Sequence, residues 1–234
     1  MAPDLDTSPS ARGERRRART RGAILDAAEE VFRATGYDGA RIEEIAERAD
    51  VSVGSIYVHF DGKRGLYLTL VERAVELFAG YMRRSEDPAF TPLQRVLAGG
   101  DAYLRFHLEH PGAFQFLAFR EPGHTALEED DAVRTRVRLR IGDLLDRFAA
   151  SIDAAVAAGE ARPVDAARLT RFLWGSWNGV IALRLQPDGL RLGDDEVTET
   201  LELGRWLLRE AIAAPGLRGA DGAVGDRVAM PHIS

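Results

Sequence analysis

The chain of 234 residues contains no cysteine. Disulfide frameworks, thiolate metal sites and thiol nucleophiles are therefore excluded as the basis of its structure or activity. No stretch approaches the roughly 18 uncharged apolar residues of a membrane helix, and the polar N-terminus lacks the apolar core of a signal peptide. We therefore expect a cytoplasmic protein that does not insert into membranes.

Strand patterns are scarce as well. Few segments alternate β-branched and polar residues, whereas apolar residues recur at helical spacing along most of the chain. This periodicity predicts an all-α fold of about nine helices. The length suits a small domain joined to a larger one.

Positive charge is concentrated at one end of an acidic chain. The net charge is -6, yet six arginines and only one glutamate lie between Arg12 and Arg21. Such a run is compatible with a solvated tail or with an arm that contacts nucleic acid, and the charge pattern by itself leaves both open. We expect residues 1–19 to form a flexible basic arm.

The helical pattern divides the rest of the chain into regions. An apolar stripe predicts a first helix over residues 20–35 that ends at Gly36. Two very short helices follow within residues 42–60, and a long bridging helix covers 62–85. Further helices are predicted within residues 86–214, and the glycine-rich segment 215–234 is expected to be disordered.

Two short helices joined by a tight turn and followed by a long helix are typical of a helix-turn-helix. Ala46 is small enough for close helix packing, and Asp50 in the turn tolerates a left-handed backbone better than most residues. Ser52 is a candidate N-cap for the second short helix. Ile56 and Phe60 lie four residues apart and are expected to face inward.

The segment from Ile42 to Leu66, IEEIAERADVSVGSIYVHFDGKRGL, closely resembles the DNA-binding signature of the TetR family of bacterial repressors. The resemblance covers roughly residues 20–70 and implies a helix-turn-helix domain of residues 20–66, which includes the start of the bridging helix. It also implies that Ser55, Tyr57, His59 and Lys63 contact DNA, with Tyr57 and Lys63 chiefly on phosphates. Residues 86–214 would then form a ligand-binding and dimerisation domain.

Two residues depart from the family pattern. Arg41 replaces the usual Ser or Thr cap, and Asp50 replaces the usual turn glycine. The recognition helix contains no Arg, Lys, Asn or Gln, so we expect few direct hydrogen bonds to bases. Arg41 therefore becomes a more important candidate for DNA contact. The complete set of predicted DNA contacts is Arg41, Ser52, Val53, Gly54, Ser55, Tyr57, Val58, His59 and Lys63.

The second half of the chain is rich in aromatic residues with polar groups among them, a composition that suits a mostly apolar ligand pocket. Any single one of these aromatic residues is more often a core residue than a ligand contact. The predicted ligand-binding residues are Tyr103, Phe106, His107, Phe114, Phe119, Phe148, Trp174, Trp177 and Asn178.

Gly175, Gly179 and Ala182 form a small-residue ridge along one helix, which permits close approach of another helix. With residues 194–213, this ridge is expected to form a four-helix bundle between two subunits. Leu201 and Leu208 complete the predicted interface.

These features predict a homodimeric repressor that a small, mostly apolar ligand releases from a palindromic operator, without cofactor or metal. One alternative retains DNA binding but lets the helical domain respond to a protein partner or to no ligand. A less favoured alternative is a metal-dependent enzyme that uses His107 and His110, which are three residues apart. No catalytic motif accompanies these histidines.

Overall fold

A computed structural model describes residues 9–118, 132–185, 189–225, 228 and 230–233, and within these residues the fold is all-α. The described residues contain nine α-helices and two short 3-10 turns, Leu183–Leu185 and Pro215–Leu217. The α-helices are α1 (Pro9–Gly39), α2 (Ile42–Arg48), α3 (Val53–Phe60), α4 (Gly62–Arg84), α5 (Pro92–Glu109), α6 (Pro111–Ala118), α7 (Ala132–Ala157), α8 (Ala166–Ala182) and α9 (Asp194–Ile212).

Helix α1 is longer than the sequence pattern predicted. It begins at Pro9, so much of the segment expected to be a flexible arm is helical. Residues 12–19 are exposed, and their arginines and alanine have high helix propensity, which explains a helix without an apolar stripe. The predicted stop at Gly36 is present as a kink, where the backbone has φ 71°.

Helix α4 begins one residue after the recognition helix ends and connects the two halves of the molecule. Its bounds agree with the predicted bridging helix, and one face is buried from Leu66 to Met82. It packs against α3 at its start and against α5, α6 and α7 further along. Movement of α4 therefore changes the position of α3.

Aromatic contacts join the N-terminal helices to the rest of the molecule. Phe116 on α6 makes edge contacts with Phe32 on α1 and Tyr67 on α4, with ring centroids 6.3 and 5.5 Å apart. One buried apolar cluster consequently extends from α1 to α9. The two halves share a core and are not separated by a linker.

Local caps fix the ends of the larger helices. Thr91 and Gln94 form a capping box at the start of α5, with proline at the first helical position. Asp165 accepts a hydrogen bond from the Arg168 backbone N–H at 2.9 Å and caps α8. Each cap depends on residues that are close in sequence.

The C-terminal tail folds back onto the helices, so the prediction of disorder was wrong for its described residues. Val224, Val228 and Ile233 are buried, and the Ile233 N–H donates to Oδ2 of Asp101 at 2.9 Å. The Arg209 side chain donates to backbone carbonyls of the tail. The residues that hold the tail are distant from it in sequence, so the glycine content of the tail did not predict these contacts.

None of the helices in the described part of the chain combines the length and apolar character that a membrane crossing requires.

Candidate nucleic-acid interface and apolar cavity

The turn between α2 and α3 has the geometry of a Schellman motif. The Val51 N–H donates to the Ala46 carbonyl at 3.0 Å, and the Asp50 N–H donates to the Glu47 carbonyl at 3.1 Å. Asp50 occupies the left-handed position with φ 52°. Aspartate therefore adopts here the conformation for which glycine is the usual choice.

Helix α3 presents one face to the core and another to solvent. Ser52 caps it by accepting from the Ser55 N–H at 3.3 Å, as predicted. Ile56 and Phe60 are buried, whereas Tyr57 is 57% exposed and Val58 is 73% exposed. The predicted inward and outward faces are both confirmed.

The space over Gly54 is open, which agrees with close approach of a large partner. The nearest atom to an added Cβ would be Ser52 Oγ, at 3.8 Å. Val53, Ser55 and His59 are partly exposed, so they remain accessible beside the exposed Tyr57 and Val58.

The basic groups around α3 differ in how they are held. Arg41 makes no capping bond and is exposed, with a loose ion pair to Glu43 at 3.7 Å. Lys63 donates to the Asp38 carbonyl at 3.2 Å and lies over the Tyr37 ring at 4.7 Å. Arg41 is free to reorient toward a partner, whereas Lys63 must first leave contacts with the end of α1.

A small apolar cavity of about 50 Å³ lies inside the helical bundle. Four of the predicted ligand-binding residues line it, namely Tyr103, Phe148, Trp174 and Trp177. Phe78 and Met82 of α4, Gly99 and Gly100 of α5, and Thr170 of α8 also line it. Leu144, Leu145, Leu173 and Leu208 complete the lining.

Two glycines on α5 allow aromatic rings to pack directly on its backbone. A Cβ at Gly99 would lie 2.5 Å from Cε2 of Phe148, and one at Gly100 would lie 2.6 Å from Cη2 of Trp177. The rings thus occupy space beside the cavity that any larger side chain on α5 would close.

Thr170 is the polar exception in the cavity wall. It is buried, and its hydroxyl has no hydrogen-bond partner among the described residues. An unpaired buried hydroxyl costs free energy, so the site favours a molecule that supplies a donor or acceptor.

The remaining predicted ligand residues lie elsewhere. Phe106 and Phe114 contact each other inside the core with their rings tilted, and the ring centroids are 5.9 Å apart. Asn178 accepts a hydrogen bond from the Tyr103 hydroxyl at 2.7 Å and supports the cavity wall from behind. Burial raises the pKa of Tyr103, so its phenol stays protonated. His107 lines a different pocket, and Phe119 lies outside the described residues.

The two histidines considered as metal ligands have different surroundings. His107 is buried against Phe114, whereas His110 is the partly exposed C-cap of α5. Within the described ranges, no group of three or more ligating side chains comes together.

Two family models match the chain, one over the helix-turn-helix and one over the C-terminal helices. A model of bacterial regulatory proteins of the tetR family matches residues 24–70, which include the helix-turn-helix. A model of the tetracyclin repressor-like C-terminal domain matches residues 96–205, which include most of the cavity lining.

The chain belongs to the TetR family.

Relatives and solved structures agree with this assignment. The transcriptional activator FasR of Mycolicibacterium smegmatis is 35% identical over 119 residues, which are 46% of this chain and 54% of FasR. The chain thus spans about half the length of that relative. The TetR family regulator PfmR of Thermus thermophilus has a TM-score of 0.67 at 19% identity, covering 80% of this chain and 97% of PfmR. AibR in complex with isovaleryl coenzyme A and operator DNA has a TM-score of 0.61 at 21% identity, covering 79% and 97%.

TetR membership makes the chain a DNA-binding transcription regulator and not an enzyme. The match over residues 96–205 also extends the resemblance beyond residues 20–70. The C-terminal match rests on a sequence pattern that helical periodicity alone does not display.

The residues of the predicted subunit interface differ in exposure in this TetR chain. Leu201 and Leu208 are buried in the single chain, although both line the groove between α8 and α9. The free apolar side chains are Phe172 on α8 and Leu203 and Leu207 on α9, which flank a groove of about 390 Å³. Gly175 and Gly179 do lie on an open surface, with nothing near an added Cβ, and Ala182 is partly exposed.

Sequence reasoning missed a steric requirement at the start of α4. A Cβ at Gly65 would lie 1.7 Å from the Phe60 carbonyl oxygen, so only glycine fits where α4 crosses the end of α3. A glycine inside a helical pattern was the available signal. This close contact fixes the recognition helix to α4.

Proposed function

We propose that the chain is a homodimeric repressor released from a palindromic operator by a small, mostly apolar ligand. The observation that carries this proposal is the double role of α4. Phe78 and Met82 of α4 line the apolar cavity, and the same helix contacts the recognition helix at Gly65. A ligand that displaces α4 therefore changes the spacing of two recognition helices in a dimer.

The size of the cavity defines what ligand binding requires. Ligand pockets usually measure about 300 to 1,000 Å³, well above the 50 Å³ present here. A ligand must therefore move the Phe148 or Trp177 ring away from α5. This displacement supplies the difference between free and bound conformations that regulation requires.

The chemistry of the lining indicates an apolar molecule with one polar group. Aromatic and aliphatic side chains surround the cavity, and the Thr170 hydroxyl, which has no hydrogen-bond partner among the described residues, would bind a single donor or acceptor. AibR, whose structure contains both isovaleryl coenzyme A and operator DNA, illustrates that this fold can bind both kinds of partner.

On the DNA side, Tyr57 and Val58 are exposed residues of the recognition helix. Tyr57 would bind a phosphate and Val58 a thymine methyl group, while Ser52, Val53, Gly54, Ser55 and His59 border them. Arg41 would add a phosphate or base contact, and Lys63 a phosphate contact once it leaves Tyr37.

The dimer would form through the groove between α8 and α9. Exposed Phe172, Leu203 and Leu207 supply apolar surface, and Gly175 and Gly179 permit close helix approach. Two chains related by a twofold axis would present two recognition helices to an inverted repeat.

A thermal-shift panel of apolar compounds with one hydroxyl or carbonyl group tests the ligand side. Compounds that raise the melting temperature should also weaken operator binding, and Thr170→Val should reduce their affinity. Thr198→Val on α9, whose hydroxyl donates to the Asp194 carbonyl, is the matched control and should bind them normally. Stabilising compounds that leave operator affinity unchanged would contradict the proposal and favour response to a partner protein or to no ligand.

A further inference from the structure

A second pocket lies between α1, α5, α6 and the end of α8, separate from the apolar cavity. Its volume is about 310 Å³, which suits a small organic molecule. Its described lining residues are Arg33, His107, Pro111, Phe114, Gln115, Ile181, Arg184 and Arg191. We propose that this pocket binds an organic anion, a carboxylate or a phosphate ester, between the DNA-binding half and the α8–α9 connection.

The charge of the pocket favours an anion. Three arginines line it, and none of its described lining residues is acidic. Arg184 already pairs with Asp194, at 2.6 Å, whereas no ion pair is found for Arg33 or Arg191 among the described residues. Glu29 on α1 lies nearby against Gly112 but does not line the pocket. An anion would therefore meet two cations that have no ion-pair partner among the described residues.

His107 adds a second, independent sign of a missing ligand. The side chain is buried, and its Nδ1 has no hydrogen-bond partner in the described part of the chain. Arg184 Nη1 lies 3.4 Å from Nε2, and because arginine can only donate, Nε2 must accept. Burial and the positive charge of Arg184 lower the pKa of His107 to about 4, so the ring is neutral near pH 7. Its proton is then on Nδ1, as an unpaired donor.

The walls determine what kind of anion fits. Pro111, Phe114 and Ile181 are apolar and accommodate a hydrophobic body, while the arginines and Gln115 supply polar groups. Arg33 belongs to α1, whereas Arg184 and Arg191 follow α8. A bound anion would thus hold α1 against α5, α6 and the end of α8. The apolar cavity has no described lining residue on α1.

Binding of small aromatic anions to the full chain tests this assignment. The probes are benzoate and phenyl phosphate, with benzamide as the neutral analogue and benzylamine as the cationic one. Selective ¹⁵N labelling of histidine, with His107→Gln for assignment, reports ring signals at the pocket. We expect one or both anions to shift the His107 signals saturably and to bind at least about tenfold more tightly than benzamide or benzylamine. Tighter binding of benzoate identifies a carboxylate site, and tighter binding of phenyl phosphate identifies a phosphate site.

Variants locate the binding on this pocket. Arg33 and Arg191 are exposed, so Arg33→Gln and Arg191→Gln should leave the fold intact and each weaken anion binding about tenfold. Arg138→Gln, an exposed arginine of α7 outside the pocket, should bind the anions as the unmodified chain does. Equal binding of benzamide, unchanged affinity in the Arg33 and Arg191 variants, or no shift of His107 by either anion at tens of millimolar would overturn the proposal.

Discussion

Asp50 holds a left-handed backbone at the turn that orients the recognition helix. For a residue with a side chain this conformation costs about 1 kcal/mol, although aspartate tolerates it better than most. Asp50→Gly should therefore raise the free energy of unfolding by up to about 1 kcal/mol, measured by urea denaturation. It should also strengthen DNA binding, because a negative charge near the phosphates is removed.

Asp50→Asn separates the two effects of that substitution. Asparagine keeps the tolerance for the left-handed conformation but carries no charge. It should strengthen DNA binding with little change in stability. A glycine variant less stable than the unmodified chain would contradict the backbone argument.

His107 gives the protein a predictable dependence on pH. Its pKa is lowered from 6.5 to about 4 by burial and by Arg184, so the folded state binds fewer protons than the unfolded state in this interval. The stabilising contribution is complete above pH 6.5 and is lost as the pH falls towards 4. His107→Gln should show a shallower fall in the free energy of unfolding over that range. Parallel curves for the two proteins would contradict the burial argument.

At the scale of elements, local signals predicted much of the fold. Ser52 caps its helix as the sequence indicated, because a cap depends on residues three positions away. The helical spacing of apolar residues predicted the short helices α2 and α3. The helical start of α1 and the ordered tail were missed, because one has no apolar stripe and the other depends on distant partners.

The tail shows how such a partner acts. Asp101 on α5 is buried, pairs with buried Arg205 at 3.0 Å and accepts from the Ile233 N–H. Burial lowers the pKa of Arg205, and the charge of Asp101 opposes this shift. The tail is therefore attached to an ion pair in the core.

Removal of the Asp101 carboxylate should destabilise the chain strongly. Asp101→Ala leaves Arg205 buried without its carboxylate, and loss of one partner of a buried pair costs about 3 to 5 kcal/mol. Chemical unfolding measures this loss, and Asp146→Ala, at an exposed site on α7, is the control. The tail should become accessible to protease in the Asp101 variant. A loss below about 1 kcal/mol, with an unchanged tail, would contradict this description.

At the scale of the whole molecule, the sequence predicted the aromatic character of the cavity but not its construction. Tyr103, Trp174 and Trp177 were expected there, whereas Gly99 and Gly100 were not. Their role depends on the angle at which helices cross, which a sequence pattern does not contain. The burial of Leu201 and Leu208 along the α8–α9 groove depends on the same crossing angle.

Substitutions on the exposed apolar face of α9 test the proposed dimer directly. The double variant Leu203→Glu, Leu207→Glu should dissociate the dimer into monomers, because it places charges within an apolar contact. Leu139→Glu replaces a leucine of similar exposure on α7 and should leave the dimer unchanged. Analytical ultracentrifugation measures the mass. A double variant that remains dimeric would show that the interface lies elsewhere.

The central claim is that two copies of the helix-turn-helix read one symmetric DNA site. Selection of binding sites from random duplex DNA by the full chain measures this directly, with the double variant Tyr57→Ala, Val58→Ala as a control for the recognition helix. We predict enrichment of an inverted repeat whose half-site centres are about one helical turn or more apart, and loss of that enrichment in the variant. Failure to enrich any inverted repeat, or equal enrichment by the variant, would contradict the account.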